Sequence, residues 1–233
     1  MDTRSPARPA ETVDGDTRRQ EMARTVEALL RDGDAGAAPA AHGYQARVLV
    51  FPDHDPPLVI KLPRPGRWYY FSRWSIRREH RAYQRLAGVP GVPPCYGLFR
   101  GEWLVLGYIP GRKLRSRYLR TDHAGPHPAI PGLRATIADM HRRGVAHSDL
   151  KRHNNLILGT DGTLYVIDFG TAVLRRPGQR GSPLWRWAAQ QDWNAWIRHG
   201  WGRRTERMPP AVKRLHRRTA IERMAAAGRR LYR

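Results

Sequence analysis

Cysteine is almost missing from this chain of 233 residues, and Cys95 is its only instance. One cysteine closes no internal disulfide, so packing must hold the fold. Long apolar runs are missing too. No stretch of about 18 apolar residues occurs, which excludes an ordinary membrane-spanning helix. Met1-Asp2-Thr3-Arg4-Ser5-Pro6 lacks the apolar centre of a secretory leader. These features predict a cytoplasmic protein, with peripheral contact at the inner face of a membrane left open. Acidic residues are scarce. Only 20 Asp and Glu stand against 42 Lys and Arg, a formal net charge of +22. Such a surface attracts nucleic acid, anionic lipid head groups or phosphorylated substrates. Histidines lack a second ligand at metal spacing, so no histidine metal site is expected.

The positive charge is grouped, at residues 64–85, 112–120, 175–186 and 203–233. The length allows one domain or two lobes sharing a cleft. Residues 1–16 are polar and aperiodic and read as a disordered tail. Residues 17–33 read as a helix, capped by Thr17 with Gln20 three positions on, and stopped by Gly33. Met22, Val26, Leu29 and Leu30 share one face of it, suited to packing on the first lobe. Residues 34–41 are rich in Ala, Gly and Pro and read as a connection. Residues 43–51 read as the entry to a strand pair.

Leu58-Val59-Ile60-Lys61-Leu62 reads as a strand with one cation among apolar residues. A lysine there is costly unless its amine meets an anion or snorkels from an edge. Residues 73–86 read as a helix whose only acid is Glu79. That acid either makes local pairs with neighbouring arginines or reaches Lys61. Tyr83, one turn on, faces the same side. Residues 95–100 and 103–109 read as a hairpin ending in Pro110-Gly111. Residues 132–143 read as a helix, with Leu133, Ile137 and Met140 on one face and Gly144 ending it. The chain then enters His147-Ser148-Asp149-Leu150-Lys151-Arg152-His153-Asn154-Asn155, and later Ile167-Asp168-Phe169-Gly170.

The pattern H-x-D-L-K-x-x-N in His147, Asp149, Leu150, Lys151 and Asn154, followed by D-F-G in Asp168, Phe169 and Gly170, resembles the protein-kinase-like superfamily. The compact length is similar to its small atypical members, the RIO-type and lipopolysaccharide-core kinases. The likeness covers roughly residues 43–200. It implies an α+β, bilobal fold with a small β-rich N-lobe and a mainly helical C-lobe. The lobes would span 34–108 and 109–202, with a basic helical tail at 203–233.

The resemblance also implies ATP and Mg2+ as cofactors and assigns roles. Asp149 would take the acceptor's proton, and Lys151 would neutralise the transferred phosphoryl group. Asn154 and Asp168 would hold metal. Lys61, paired with Glu79, would hold phosphates. Gly43 would belong to the loop over the phosphates, though Ala46 stands where its last glycine would be. Leu106 would be the gatekeeper, with the Gly107 carbonyl and Ile109 amide at the adenine edge. Asp192 would brace the catalytic loop from behind, and His147 and Phe169 would pack inside.

Two departures bear on function. Ser148 stands where the family commonly has arginine, which predicts activity without phosphorylation. The segment 171–190 is short and basic and lacks an Ala-Pro-Glu motif, which weakens a peptide-docking platform. The acceptor therefore stays open between a protein serine or threonine, favoured by the Asp149/Lys151 pairing, and a sugar hydroxyl on an anionic glycolipid. A non-catalytic nucleotide- or nucleic-acid-binding pseudokinase is the rival from another class. The tail, with Val212, Leu215, Ile221, Met224 and Leu231 loosely on one side, would either lie on an anionic membrane or pack as a terminal helix. Oligomeric state is not legible in the sequence.

Overall fold

The computed structural model describes residues 11–31, 46–114, 120–121, 125–176, 178–202 and 208–216. The first helix, α1, spans Glu11–Arg31. It begins six residues before Thr17, which lies inside it rather than capping it. Extending a helix already nucleated at the apolar 22–30 segment costs little per residue, so the polar stretch before Thr17 joins it. Gly33 and residues 1–10 lie outside the described residues. Val26 is fully buried on the sheet, with Met22, Leu29 and Leu30 packed beside it.

The N-lobe sheet has four antiparallel strands in the order β1-β2-β4-β3. They are β1 (Arg47–Phe51), β2 (Leu58–Leu62), β3 (Cys95–Phe99) and β4 (Trp103–Gly107). One face meets α1 through Leu49, Phe51, Leu58, Ile60, Phe99 and Val105. The other meets α2 (Tyr69–Arg85). This helix starts four residues earlier than the sequence predicts, out of a single 3-10 turn at Gly66–Trp68. Its buried positions are Ser72, Ser75, Ile76, Glu79, Ala82 and Tyr83, one face at helical spacing. Gly107 sits where β4 passes close to the chain before β3. A Cβ there would lie 2.5 Å from Pro94 Cγ.

Beyond β4 the chain forms β5 (Gly111–Lys113) and two two-residue strands, β6 (Arg120–Thr121) and β7 (Gly125–Pro126). Then comes α3 (Ile130–Arg142), two residues longer at its start than its apolar pattern indicates, because Pro131 suits a first helical turn. The central loop lies between β8 (Val145–Ala146) and β9 (Leu156–Gly159). Next come β10 (Leu164–Val166) and β11 (Val173–Leu174). Strands β10-β9-β5 form one small sheet and β11-β8 another.

Helix α4 (Pro183–Trp201) begins inside the short basic segment 171–190. Ser182 is the reason. Its side chain accepts from the Trp185 amide, and Pro183 fills the first helical position. The last described helix is α5 (Pro210–Leu215). Val212 and Leu215 pack against the main core, and Gln190 Nε2 donates to the Leu215 carbonyl at 2.8 Å. This part of the tail docks on α4. Ile221, Met224 and Leu231 lie outside the described residues.

One apolar core runs through both lobes. It joins Ile76, Tyr83, Leu104 and Leu106 to Ile137, Leu150, Leu156, Phe169 and Trp196. The architecture is α+β and bilobal, a protein-kinase-like fold with a sheet-rich first lobe and a mainly helical second one.

Candidate functional site

Strand β2 and helix α2 bring the buried cation to its anions. Lys61 Nζ lies 2.7 Å from Glu79 Oε1 and 3.3 Å from Asp168 Oδ1. The Lys61 side chain is 12% exposed, Glu79 3% and Asp168 46%. Asp168 is therefore the arm of this triad that opens to solvent. Burial alone would lower the Lys61 pKa, but the two carboxylates outweigh it and hold the ammonium above its ordinary value. The ammonium in turn holds the Asp168 carboxyl below its usual range, against the effect of burial. Burial pushes Glu79 upward, with Lys61 opposing it. Glu79 Oε1 also accepts from the Phe169 amide at 3.2 Å, which ties α2 to the Asp168-Phe169-Gly170 turn.

That turn is held in an uncommon shape. Asp168 has φ 67° and ψ 71°, the left-handed region that few non-glycine residues enter. Ser148 shares it at φ 70°. Two such residues, one on each loop of the cleft, mark backbone that its surroundings hold in place. The holding contacts are visible. Asp192, fully buried on α4, accepts from the His147 amide through Oδ2 and the Ser148 amide through Oδ1, both at 2.8 Å. Its Oδ2 also meets His141 Nε2 at 3.0 Å. The Ser148 hydroxyl donates to the Thr171 carbonyl at 3.0 Å.

His147 joins the two loops. Its Nε2 lies 3.0 Å from the Ile167 carbonyl and so donates. Its Nδ1 accepts from the Asp149 amide at 3.3 Å. One neutral tautomer satisfies both contacts. The Phe169 ring lies 4.9 Å from His147 and 5.0 Å from Tyr83, centroid to centroid. A ring stack therefore runs from α2 through the turn into the central loop.

Asp149 is half-buried at the cleft. Its Oδ2 lies 3.1 Å from Arg152 Nε and 3.4 Å from Asn155 Nδ2. Asn155 is buried and donates from Nδ2 to the Asp149 carbonyl at 3.0 Å. Its own carbonyl accepts from the Ile167 amide, next to Asp168, at 3.0 Å. Asn154 is exposed instead. The pairing of Leu156 with Val166 at the end of the β9–β10 ladder fixes this choice. It makes Asn155 the last residue before the ladder, opposite the chain entering Asp168. The sequence signal was present, since an asparagine directly before the apolar strand 156–158 is the better register mark than spacing from Asp149.

Of the other predicted residues, Leu106 is buried beside Val59 and Cys95. Gly107 donates from its amide to the Pro94 carbonyl, and the next amide, Tyr108, donates to Pro57. Ile109 follows, at the exit from β4. Lys151 is half-buried on the central loop. Gly43 lies outside the described residues. Ala46 is buried in the main core.

Two histidines lie behind the central loop, unforeseen in the sequence. His199 Nε2 donates to the Leu150 carbonyl at 2.7 Å, and its ring lies 4.8 Å from that of His153. Burial lowers the His199 pKa to about 4 and also lowers that of His153.

Asp168, open to solvent, and Asn155, whose backbone is bonded to the strand entering Asp168, carry carboxylate and amide oxygens of the kind a hard divalent cation takes. With its Nδ2 engaged, the Asn155 amide has its oxygen left to offer. Lys61 beside them suits a phosphate. The donor set fits a magnesium nucleotide.

No family model matches the chain. It is similar to calcium-dependent protein kinase 14 of Oryza sativa subsp. japonica, 33% identical over 113 residues, covering 45% of this chain and 22% of that protein. It is similar to calcium-dependent protein kinase 34 of Arabidopsis thaliana, 30% identical over 113 residues, covering 45% of this chain and 22% of the relative. It is also similar to the serine/threonine-protein kinase cds1 of Schizosaccharomyces pombe, 29% identical over 138 residues, covering 49% of this chain and 30% of that protein. The chain thus spans less than a third of the length of these curated relatives.

Proposed function

We propose that this protein is an ATP- and magnesium-dependent phosphotransferase that moves the γ-phosphoryl group to a hydroxyl, that of a protein serine or threonine. The observation that carries the reading is the convergence of Lys61, Glu79 and Asp168 from three separate elements at 2.7 and 3.3 Å. The similarity to kinases named for protein substrates supports the acceptor class.

Bound magnesium ATP supplies the transferable group and the cation that offsets its charge. Asp168 and Asn155 would hold the metal, and Lys61 the phosphates, with Glu79 fixing the amine's direction. Leu106, Gly107 and Ile109 would border the adenine. The Asp149 carboxylate accepts the proton from the attacking hydroxyl. Lys151 offsets negative charge on the oxygens in transfer. The chain's contribution is position and preset charge rather than covalent chemistry.

The test offers ATP labelled at the γ-phosphate to a soluble protein extract and, separately, to a membrane lipid extract. The reading expects label on serine or threonine in the protein fraction. Label confined to the lipid fraction replaces the acceptor with a glycolipid hydroxyl. Label in neither fraction, despite bound nucleotide, favours the non-catalytic binder.

A further inference from the structure

The outer face of α2 is unlike the rest of the surface. Trp68, Tyr70, Phe71 and Trp74 are 53%, 79%, 51% and 53% exposed. Trp68 meets Phe71 edge-on at 6.4 Å, and Phe71 meets Trp74 at 6.0 Å. Single exposed aromatics need no explanation, but three exposed rings in contact, with a fourth on the same helix, mark a surface made to be covered. None of them faces the cleft, which α2 addresses with Glu79 and Tyr83 from its buried side.

The charge of this face has one sign. Residues 64–85 contain seven arginines, of which Arg67, Arg77 and Arg81 are exposed, and one acid, Glu79. Glu79 is turned inward to Lys61. The acid at the margin, Glu102, is engaged by the Tyr69 hydroxyl and by Arg73 at 3.5 Å. The partner must therefore be anionic and must accept aromatic rings.

We propose that this face docks on an anionic lipid bilayer, with Trp68, Phe71 and Trp74 in the head-group layer and the neighbouring arginines on lipid phosphates. Indole rings suit that boundary because they pair an apolar body with a polar edge. The surface is the convex side of a helix, which a plane can meet. Nucleic acid is disfavoured by geometry. The Arg67 guanidinium sits 5.2 Å over the Trp68 ring and that of Arg78 sits 5.2 Å over Trp74. One face of each of these indoles is thus already covered, which leaves less ring for single-stranded nucleic acid to stack on.

Docking here would also reach the cleft's margin. Arg78 Nε donates to the Ala172 carbonyl at 2.8 Å and Arg85 to the Arg175 carbonyl at 2.5 Å. The helix on the membrane is thus the helix that holds the segment after Asp168. The proposal does not depend on phosphotransfer.

The test is flotation of the full chain with phosphatidylcholine vesicles, with and without phosphatidylglycerol. Binding is expected only with the anionic lipid. The triple variant Trp68→Ser, Phe71→Ser, Trp74→Ser should bind about tenfold more weakly or worse. Lipids brominated near the head group should quench tryptophan fluorescence in the wild type and much less in the variant. Far-UV circular dichroism checks the fold. Phe71→Ser alone, a half-exposed ring, serves as a milder second variant with partial loss. Equal vesicle binding by the triple variant overturns the proposal, because basic groups elsewhere would then account for it. So does absence of vesicle binding, or a variant that loses single-stranded RNA binding while keeping its vesicle binding.

Discussion

At the scale of single residues the cleft turns on which asparagine faces it. Asn155 bonds the Asp149 carbonyl and is tied to the strand entering Asp168, while Asn154 points to solvent. Asn155→Ala should lower phosphotransfer by about a hundredfold, the scale of losing one positioned charge-stabilising group, and raise the magnesium needed. Asn154→Ala should stay within about twofold, since surface changes away from a site cost little. Steady-state rates over a magnesium series check both. Lys61→Met should abolish nucleotide binding seen by calorimetry. It should leave the fold intact, because Glu79, already pushed toward its neutral form by burial, can take a proton once its partner is gone. The acid limb follows from Asp168. Its carboxyl is held below the usual range, so its ion pair persists above the unfolded value and is lost as pH falls through the depressed one. The pairing of Lys61 with Glu79 was legible in the sequence because each is a charge in an unlike setting, the one among apolar residues and the other among arginines. Asn155 is marked only by its place directly before the apolar strand 156–158, a register signal that competes with the motif spacing counted from Asp149.

Among the elements, α4 does the most for the cleft while touching none of the proposed ligand positions. Asp192, itself fully buried, accepts from two loop amides, of which that of His147 is buried. Asp192→Ala should destabilise the protein by about 3 kcal/mol or more, because it leaves a buried donor unpaired. Denaturant melts measure this. His199 gives α4 a pH signature. Its folded value is about 4, below the ordinary 6.5. Stability from this group is full above about pH 6.5 and falls as pH drops toward 4, by about 3 kcal/mol if the whole shift is expressed. His199→Gln keeps a donor to the Leu150 carbonyl without titrating, so it should flatten that slope, with His153 and His80 contributing to what remains. The helix itself was partly legible. Asp192 belongs to a stretch that resembles a helix in the sequence, whereas the start of the helix depends on the Ser182 capping bond, which the motif does not mark. The N-terminal helix is longer than the sequence indicates, because periodicity marks the apolar core of a helix and not its polar ends.

For the molecule as a whole, the decisive feature is continuity. One apolar core shared by both lobes and a ring stack, Tyr83–Phe169–His147, connect α2 to the central loop. Ser148 takes the place where the resemblance expects arginine, and its hydroxyl reaches Thr171 directly. The cleft is therefore assembled by packing, and phosphatase treatment of purified protein should leave activity unchanged. The two-lobed plan was an implication of the resemblance carried by the H-x-D-L-K-x-x-N and D-F-G motifs. The outward aromatic face of α2 was not legible, since a sequence of mixed Arg, Trp and Tyr does not say which side of a helix the core will claim.

The central claim is that Lys61, Asp149, Asn155 and Asp168 serve one phosphoryl transfer. Transfer of γ-labelled phosphate from ATP, measured side by side for wild type and Asp149→Asn with nucleotide binding verified in each, tests it most directly. The account predicts magnesium-dependent labelling of acceptor by the wild type, and a loss of about a hundredfold or more in the variant with binding kept. Equal labelling by both proteins, or none by a wild type that binds the nucleotide, contradicts it.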